Sequence, residues 1–315
     1  MKISILEWGT VTNGDIPSDI FNRLGEVRCY HNTSASSVVH HIGDSEIVLC
    51  NKCLITEEIM EQCPNIKYIG LCATGYNNID INAASKRGII VCNAGGYSTD
   101  AVAQLVFAYI LNHCSKVSQY DNTVREGQWI KSDTFSLFPI PTTEIAGKTL
   151  GIIGYGNIGK KVASIAEAFR MNVVVATRTK PENCKFKLIS IDEAFSLSDF
   201  LTIHCPLTPE TERLVNKRRL SKMKPSAMLI NTSRGGVVDE QALRDALNSS
   251  IIAAAAVDVL EHEPMREDTP LRNAKNCIIT PHMAWSPFET RRRLVHIVYE
   301  NIAAFLNGKP VNKVN

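Results

Sequence analysis

Between residues 150 and 169 the chain reads as a short apolar run, then the turn Gly154-Tyr155-Gly156-Asn157-Ile158-Gly159, then an apolar face at Ile158, Val162, Ile165, Ala166 and Phe169. No other feature constrains the fold as much. A continuous apolar run makes a buried strand, and a period near 3.6 makes a helix packed against it. Three glycines at this spacing join the two. Gly154 allows a tight turn, Gly156 lets backbone amides approach a ligand, and Gly159 lets the helix lie close on the strand. A helix N-terminus is a ready anion site, so the turn is expected to hold the pyrophosphate of a dinucleotide. The pattern starts almost halfway along 315 residues, and the first half needs its own explanation.

The opening residues Lys2-Ile3-Ser4-Ile5-Leu6 read as a strand rather than a secretory leader. Strand-type runs at 3–6, 27–30, 47–49, 68–71 and 89–91 alternate with helical patterns, which implies a parallel sheet. Asp80 is placed to cap a helix over 81–87, with Gly88 able to take the left-handed turn that ends it. After Gly147 the alternation resumes, with strands expected at 150–153, 173–176, 201–203, 228–231, 254–257 and 278–280. The fold class is therefore α/β, with two doubly wound parallel sheets.

Between the sheets an apolar helical pattern runs from Ser98 or Thr99 through Val102, Leu105, Val106, Tyr109, Ile110 and Val117. Trp129, Phe135, Leu137 and Phe138 follow without period, up to Pro139 and Pro141. Such aromatics either fold back on their own domain or form an arm packed on a second subunit, as in a homodimer. At the far end Ser286-Pro287-Phe288-Glu289 has the spacing of a capping box with proline at the first helical position. A last helix is expected from there to about Asn307.

A formal net charge of +2 gives no reason to expect nucleic acid or an anionic membrane as a partner. Arg291-Arg292-Arg293 is the one basic run, and Leu294, Val295, Ile297, Val298 and Ile302 beside it recur as an apolar helix face. The arginines are expected on the solvated side. Ten cysteines are scattered, with Cys50, Cys72 and Cys92 inside apolar runs, which fits the reduced thiols of a cytoplasmic protein better than a disulfide framework. Cys50-Asn51-Lys52-Cys53 matches a redox spacing by chance. No apolar run approaches the ~20 residues a membrane span needs.

Three later stretches each carry an ionisable group at an expected strand end: residues 231–236 with Arg234, residues 258–264 with Glu263, and residues 280–285 with His282. In open parallel sheets ligands bind at those ends. Singly, each residue has an ordinary structural explanation; together they supply what carbonyl reduction needs. Hydride attack on a 2-keto acid builds negative charge on the keto oxygen, so the site needs a proton donor there and a fixed cation for the carboxylate. Histidine and arginine fit those tasks. A glutamate behind the histidine fixes its tautomer and favours its protonated form. No metal is required, and no cysteine and histidine cluster has zinc-ligand spacing.

The sequence resembles the D-isomer-specific 2-hydroxyacid dehydrogenase family along essentially its whole length, through the glycine turn, His204-Cys205-Pro206-Leu207-Thr208, residues 231–240 and 258–264, and Pro281-His282. It is closest to the glycerate dehydrogenase or hydroxypyruvate reductase branch in Asn51-Lys52, Ala73-Thr74-Gly75-Tyr76-Asn77, Tyr97-Ser98-Thr99-Asp100 and Ala284-Trp285. The resemblance implies a flavodoxin-like substrate domain built from 1–98 and 285–315, with a Rossmann nucleotide-binding domain, 99–284, inserted in it. The first half of the chain is then half of an active site. Gly95-Gly96 departs from the family, which carries bulkier residues there.

The same resemblance implies that Arg234, Glu263 and His282 are catalytic. Backbone amides around Ala73, Thr74 and Gly75 are expected to bind the substrate carboxylate, with Asn51, Lys52 and Trp285 also in the substrate site. The resemblance further implies cofactor contacts for Cys205, Pro206, Thr232, Ser233, Asp258 and Ala284; with the glycine turn and the strand after it, contacts are also expected from Thr99, Gly154, Gly156, Asn157, Ile158, Gly159, Thr177, Arg178, Thr179, His204 and Thr211. The expected reaction is reduction of a small 2-keto acid such as hydroxypyruvate or glyoxylate; a nucleotide-sensing binding protein of the corepressor kind is the alternative on the same fold.

The strand after the glycine turn continues into Ala176-Thr177-Arg178-Thr179-Lys180. An acid at its end would bind the adenosine ribose of NAD and repel the 2′-phosphate of NADP. Thr177 repels neither, and Arg178 and Lys180 add cations, so NADP is expected in preference to NAD.

Overall fold

The apolar runs of the first hundred residues become five parallel strands: β1 (Lys2–Ile5), β2 (Glu26–Cys29), β3 (Ile47–Cys50), β4 (Tyr68–Leu71) and β5 (Ile90–Cys92). The computed structural model describes residues 1–315, which divide into two units, Met1–Ser98 with Ser286–Asn315, and Thr99–Trp285. In the first unit the strand order is β2-β1-β3-β4-β5, the flavodoxin-like winding. β3 and β4 are buried along their whole length, as strands covered on both faces must be. One face packs Leu6, Val48, Ile69 and Val91 with Met60 and Ala84. The helix Phe288–Leu306 covers β4 on the other, with Tyr68 and Phe305 ring centroids 4.8 Å apart. Asp80 caps the helix Ile81–Lys86 by accepting the Ala83 amide, and Gly88 takes φ +68° after it.

The second unit holds β6 (Thr149–Ile153), β7 (Asn172–Ala176), β8 (Lys187–Leu188), β9 (Phe200–Ile203), β10 (Met228–Asn231), β11 (Ala254–Val257) and β12 (Cys277–Ile279). Their order, β12-β11-β10-β9-β6-β7-β8, is the Rossmann winding with one strand added at an edge. Alternate residues feed two cores. Leu201 and Ile203 pack on one face; Phe200, Met228, Ile230, Ala254 and Ala256 pack on the other beneath the helix Thr99–Ser115.

Three local expectations are corrected. The long apolar helix stops at Ser115, because Lys116 takes φ +51° and starts a second helix, Val117–Arg125, so Val117 belongs to the latter. The last helix begins at Phe288 with Pro287 as its cap residue, and the Ser286 side chain makes no cap bond. The capping box instead forms at Ser190 and Glu193, ahead of Ile191–Leu197. Of the three arginines only Arg291 leaves the solvated side, in a two-pronged ion pair with Asp15 at 2.6 and 2.7 Å; Arg292 and Arg293 are exposed, and Arg293 also donates to the Tyr97 carbonyl. In the aromatic segment Phe135 and Phe138 are 91% and 85% exposed, while Leu137 is partly buried and the Ile140 carbonyl accepts from the Tyr120 hydroxyl of the same unit.

Candidate active site

The glycine turn lies between β6 and the helix Asn157–Ala168, as its sequence requires. Gly154 sits at φ +93°, and a Cβ there would stand 2.7 Å from the backbone of His204 and Cys205. At Gly159 a Cβ would come within 2.2 Å of the Gly154 carbonyl oxygen, so that glycine sets the approach of helix to strand. Gly156 differs: a Cβ built on it meets no atom within 4 Å. It borders open space at a helix N-terminus, the cradle a pyrophosphate needs. The loop after β9 folds around Thr211, whose hydroxyl donates to the Pro206 carbonyl at 2.6 Å and accepts the Thr208 amide at 2.8 Å.

Extending the parallel registers one step past β9, β10, β11 and β12 brings His204, Thr232, Asp258 and Thr280 into one cross-strand row. The ladder continues there, with His204 N donating to Ile153 O at 2.7 Å, Asp258 N to Asn231 O at 2.9 Å and Thr280 N to Val257 O at 3.0 Å. Two atoms of this row, His204 Nδ1 and Thr232 Oγ1, are buried without a partner. Buried polar atoms are normally satisfied, so a polar ligand at these strand ends accounts for them. Together with the open Gly156, they show that the residues present fit a nicotinamide dinucleotide. Burial lowers the pKa of His204 to about 3 and raises that of Cys205 to about 11, so both are neutral at physiological pH.

Arg234 lies in the loop after β10. Asn231, fully buried, shapes that loop by accepting from the Ser233 amide and hydroxyl and donating to the Arg234 carbonyl. Gly235 then allows the loop after β11 to pass, since a Cβ on it would stand 1.9 Å from the Leu260 carbonyl carbon. That loop carries Glu263, whose Oε1 accepts the Leu260 amide at 3.0 Å and whose Oε2 lies 2.7 Å from His282 Nδ1. His282 itself takes φ +53° in a turn held by Asp258, which accepts the amides of His282, Met283 and Ala284. Glu263 and His282 are thus joined, and Asp258 and Ala284 share a bond. Arg234 Nη1 donates to the carbonyl of its neighbour Ser233 at 2.7 Å.

In the first unit, the Asn51-Lys52 loop follows β3 and is organised by a residue the sequence reading missed. Glu7, 7% exposed, accepts the amides of Asn51, Lys52 and Cys53 on a single oxygen, Oε2, at 2.8 to 3.0 Å. Asn51 is itself buried, with its amide nitrogen on Thr10 Oγ1, while Lys52 is exposed. Burial, with Glu7 adding to it, raises the Cys53 thiol to about 12 and Cys50 well above its ordinary value, which disfavours the thiolate a redox pair needs. Ala73 and Gly75 are partly buried and Thr74 exposed in the loop after β4, where Thr74 donates to the Ala94 carbonyl and accepts from Asn93. Trp285 is partly buried, and Thr177 stands just past β7 with Arg178, Thr179 and Lys180 exposed after it.

A Rossmann sheet with an open glycine turn, and a histidine oriented by a carboxylate at its strand ends, defines an oxidoreductase that uses a nicotinamide dinucleotide. The model for the D-isomer specific 2-hydroxyacid dehydrogenase NAD-binding domain matches residues 107–284. The chain is 43% identical to a hydroxypyruvate reductase of Blautia hydrogenotrophica over the whole of both chains. It is 38% identical to a glycerate dehydrogenase of Methylorubrum extorquens, covering 93% of each. Among solved structures, an acyclic imino acid reductase in complex with NADPH and D-Arg superposes with a TM-score of 0.88 at 32% identity, covering both chains fully. The protein belongs to the D-isomer specific 2-hydroxyacid dehydrogenase family, in its glycerate dehydrogenase branch.

No helix is long and apolar enough to cross a membrane.

Proposed function

We propose that the protein reduces a small 2-keto acid, hydroxypyruvate or glyoxylate, to the D-2-hydroxy acid. The observation that carries this reading is the 2.7 Å contact between Glu263 and His282 at the ends of the Rossmann strands. Bound nicotinamide supplies the hydride; the chain's own residues handle charge and protons. With Nδ1 facing a carboxylate, His282 presents Nε2 as the donor to the keto oxygen. Arg234 supplies the planar cation for the substrate carboxylate, by two parallel N–H bonds. Amides around Thr74 and Gly75 and the Asn51-Lys52 loop bind the same acid, as the family resemblance implies. The names of the hydroxypyruvate reductase and glycerate dehydrogenase relatives support the substrate class.

The nucleotide is held by Gly154, Gly156 and Gly159 with Asn157 and Ile158, by the loop carrying Cys205, Pro206 and Thr211, and by the row of His204, Thr232 and Asp258. Ser233, Ala284 and Thr99 complete that set. NADP is preferred to NAD. Support comes from Thr177 in place of an acid, from the exposed Arg178 and Lys180, and from the NADPH in the imino acid reductase. Arg178 also lies near Glu210, whose carboxyl is held below its ordinary value chiefly by the Thr208 hydroxyl and in part by Arg178, so the cation is shared.

The working form is a homodimer: Phe135 and Phe138 are almost fully exposed in an aromatic segment that a second copy would cover. A monomer in light scattering at micromolar concentration would remove that reading. Ten free thiols, six of them buried, suit a reducing cytoplasm. The test of the function is absorbance at 340 nm with a panel of 2-keto acids. Turnover of hydroxypyruvate or glyoxylate supports it; turnover of none, with nucleotide still bound, favours the corepressor-like alternative.

A further inference from the structure

Tyr109 takes no part in the chemistry so far. It lies within the helix Thr99–Ser115, 4% exposed among apolar neighbours, and its hydroxyl is bonded to Thr280 Oγ1. Thr280 Oγ1 is 2.5 Å from Asp258 Oδ1. Proton counting fixes the direction of both bonds. A carboxylate only accepts and a threonine hydroxyl has one proton, so Thr280 donates to Asp258 and Tyr109 donates to Thr280. Burial raises the phenol to about 12, which keeps that proton in place at working pH.

At the other end of this chain stands the turn of His282. Asp258 Oδ1 accepts the Met283 amide at 2.9 Å, Oδ2 accepts the Ala284 amide at 2.9 Å, and the Asp258 carbonyl accepts the His282 amide at 2.8 Å. Three successive amides therefore end on one residue. His282 holds φ +53°, a conformation that a side-chain-bearing residue keeps only where its surroundings impose it. Asp258, 1% exposed, imposes it here, and a carboxylate so removed from water depends on its donors for a fixed orientation.

We propose that Tyr109 is a positioning residue: through Thr280 its hydroxyl fixes the Asp258 carboxylate, which holds the turn of His282 and so aims the imidazole. The inference rests on His282 as the proton donor, as proposed above. Phenylalanine fills the same apolar space, so only the hydroxyl is at issue.

The experiment compares Tyr109→Phe, Thr280→Val, Thr280→Ser, the double variant Tyr109→Phe/Thr280→Val, and His282→Ala, each at saturating nucleotide. Misaiming a catalytic group is costly in turnover, so Tyr109→Phe should lose roughly tenfold in kcat while KM for the keto acid stays within about twofold. Thr280→Ser keeps the hydroxyl and should keep turnover. Because both substitutions cut one chain, the double variant should be no slower than Thr280→Val alone. An unchanged kcat in Tyr109→Phe overturns the inference, whatever happens to Tm, and so do losses that multiply in the double variant. Turnover surviving in His282→Ala overturns the acid assignment and this inference together. Turnover lost there but kept in Tyr109→Phe overturns this inference alone.

Discussion

Glu263 reaches back from the loop after β11 to place Oε2 2.7 Å from the Nδ1 of His282, nineteen residues further along the chain. The contact gives the imidazole one tautomer and one direction. Replacing Glu263 by glutamine keeps a similar shape but removes the carboxylate that faces Nδ1 and orients the ring. At neutral pH kcat/KM should fall by roughly ten- to a hundredfold. A kcat/KM close to that of the wild type would count against the pairing.

The glycine turn separates fold from ligand. Gly159→Ala must push on the Gly154 carbonyl, so it should lower Tm. Gly156→Ala meets open space at an ordinary negative φ, so Tm should hold while the dissociation constant for nucleotide rises about tenfold or more. Unchanged nucleotide affinity in Gly156→Ala would mean that the space beside it is not the cradle.

These glycines were legible in the sequence because strand, turn and helix are consecutive. The same holds for Asp80 with Gly88, and for Met228–Asn231 and Ala254–Val257, whose apolar runs match the strands residue for residue. What escaped depends on partners distant in the chain. Glu7 finds its amides 44 to 46 residues away, and Arg291 finds Asp15 at a separation of 276, where no local period could mark either. β8 is two residues long and carries no run to detect. Ser286 and Ser190 present the same capping pattern, and only Ser190 uses it.

His204 supplies a pH test of stability. Its pKa is lowered by burial to about 3, while an unfolded chain protonates the ring near the ordinary value. The unfolded state therefore binds more protons between those values, and the contribution is complete above pH ~6.5 and lost as pH falls toward 3. From pH 7 to pH 5 the wild type should lose on the order of 1–2 kcal/mol through this residue. His204→Gln should flatten that slope in urea unfolding at the two pH values. Equal slopes would show that the imidazole titrates in the fold as it does in the unfolded chain.

The proposed preference for NADP is tested at the end of β7. With Thr177 and Arg178 in place, kcat/KM with NADPH should exceed that with NADH, and Thr177→Asp with Arg178→Ala should reverse the order. A wild type that favours NADH tenfold, worth about 1.4 kcal/mol in the transition state, would contradict the reading of Thr177.

The central claim is that His282 delivers the proton to the keto oxygen, and the most direct measurement is the turnover of His282→Ala with hydroxypyruvate and with glyoxylate, followed at 340 nm beside the wild type. Loss of a general acid should lower kcat by roughly a hundred- to ten-thousandfold, with nucleotide affinity, read by fluorescence, unchanged. Near-normal turnover in that variant would contradict the account.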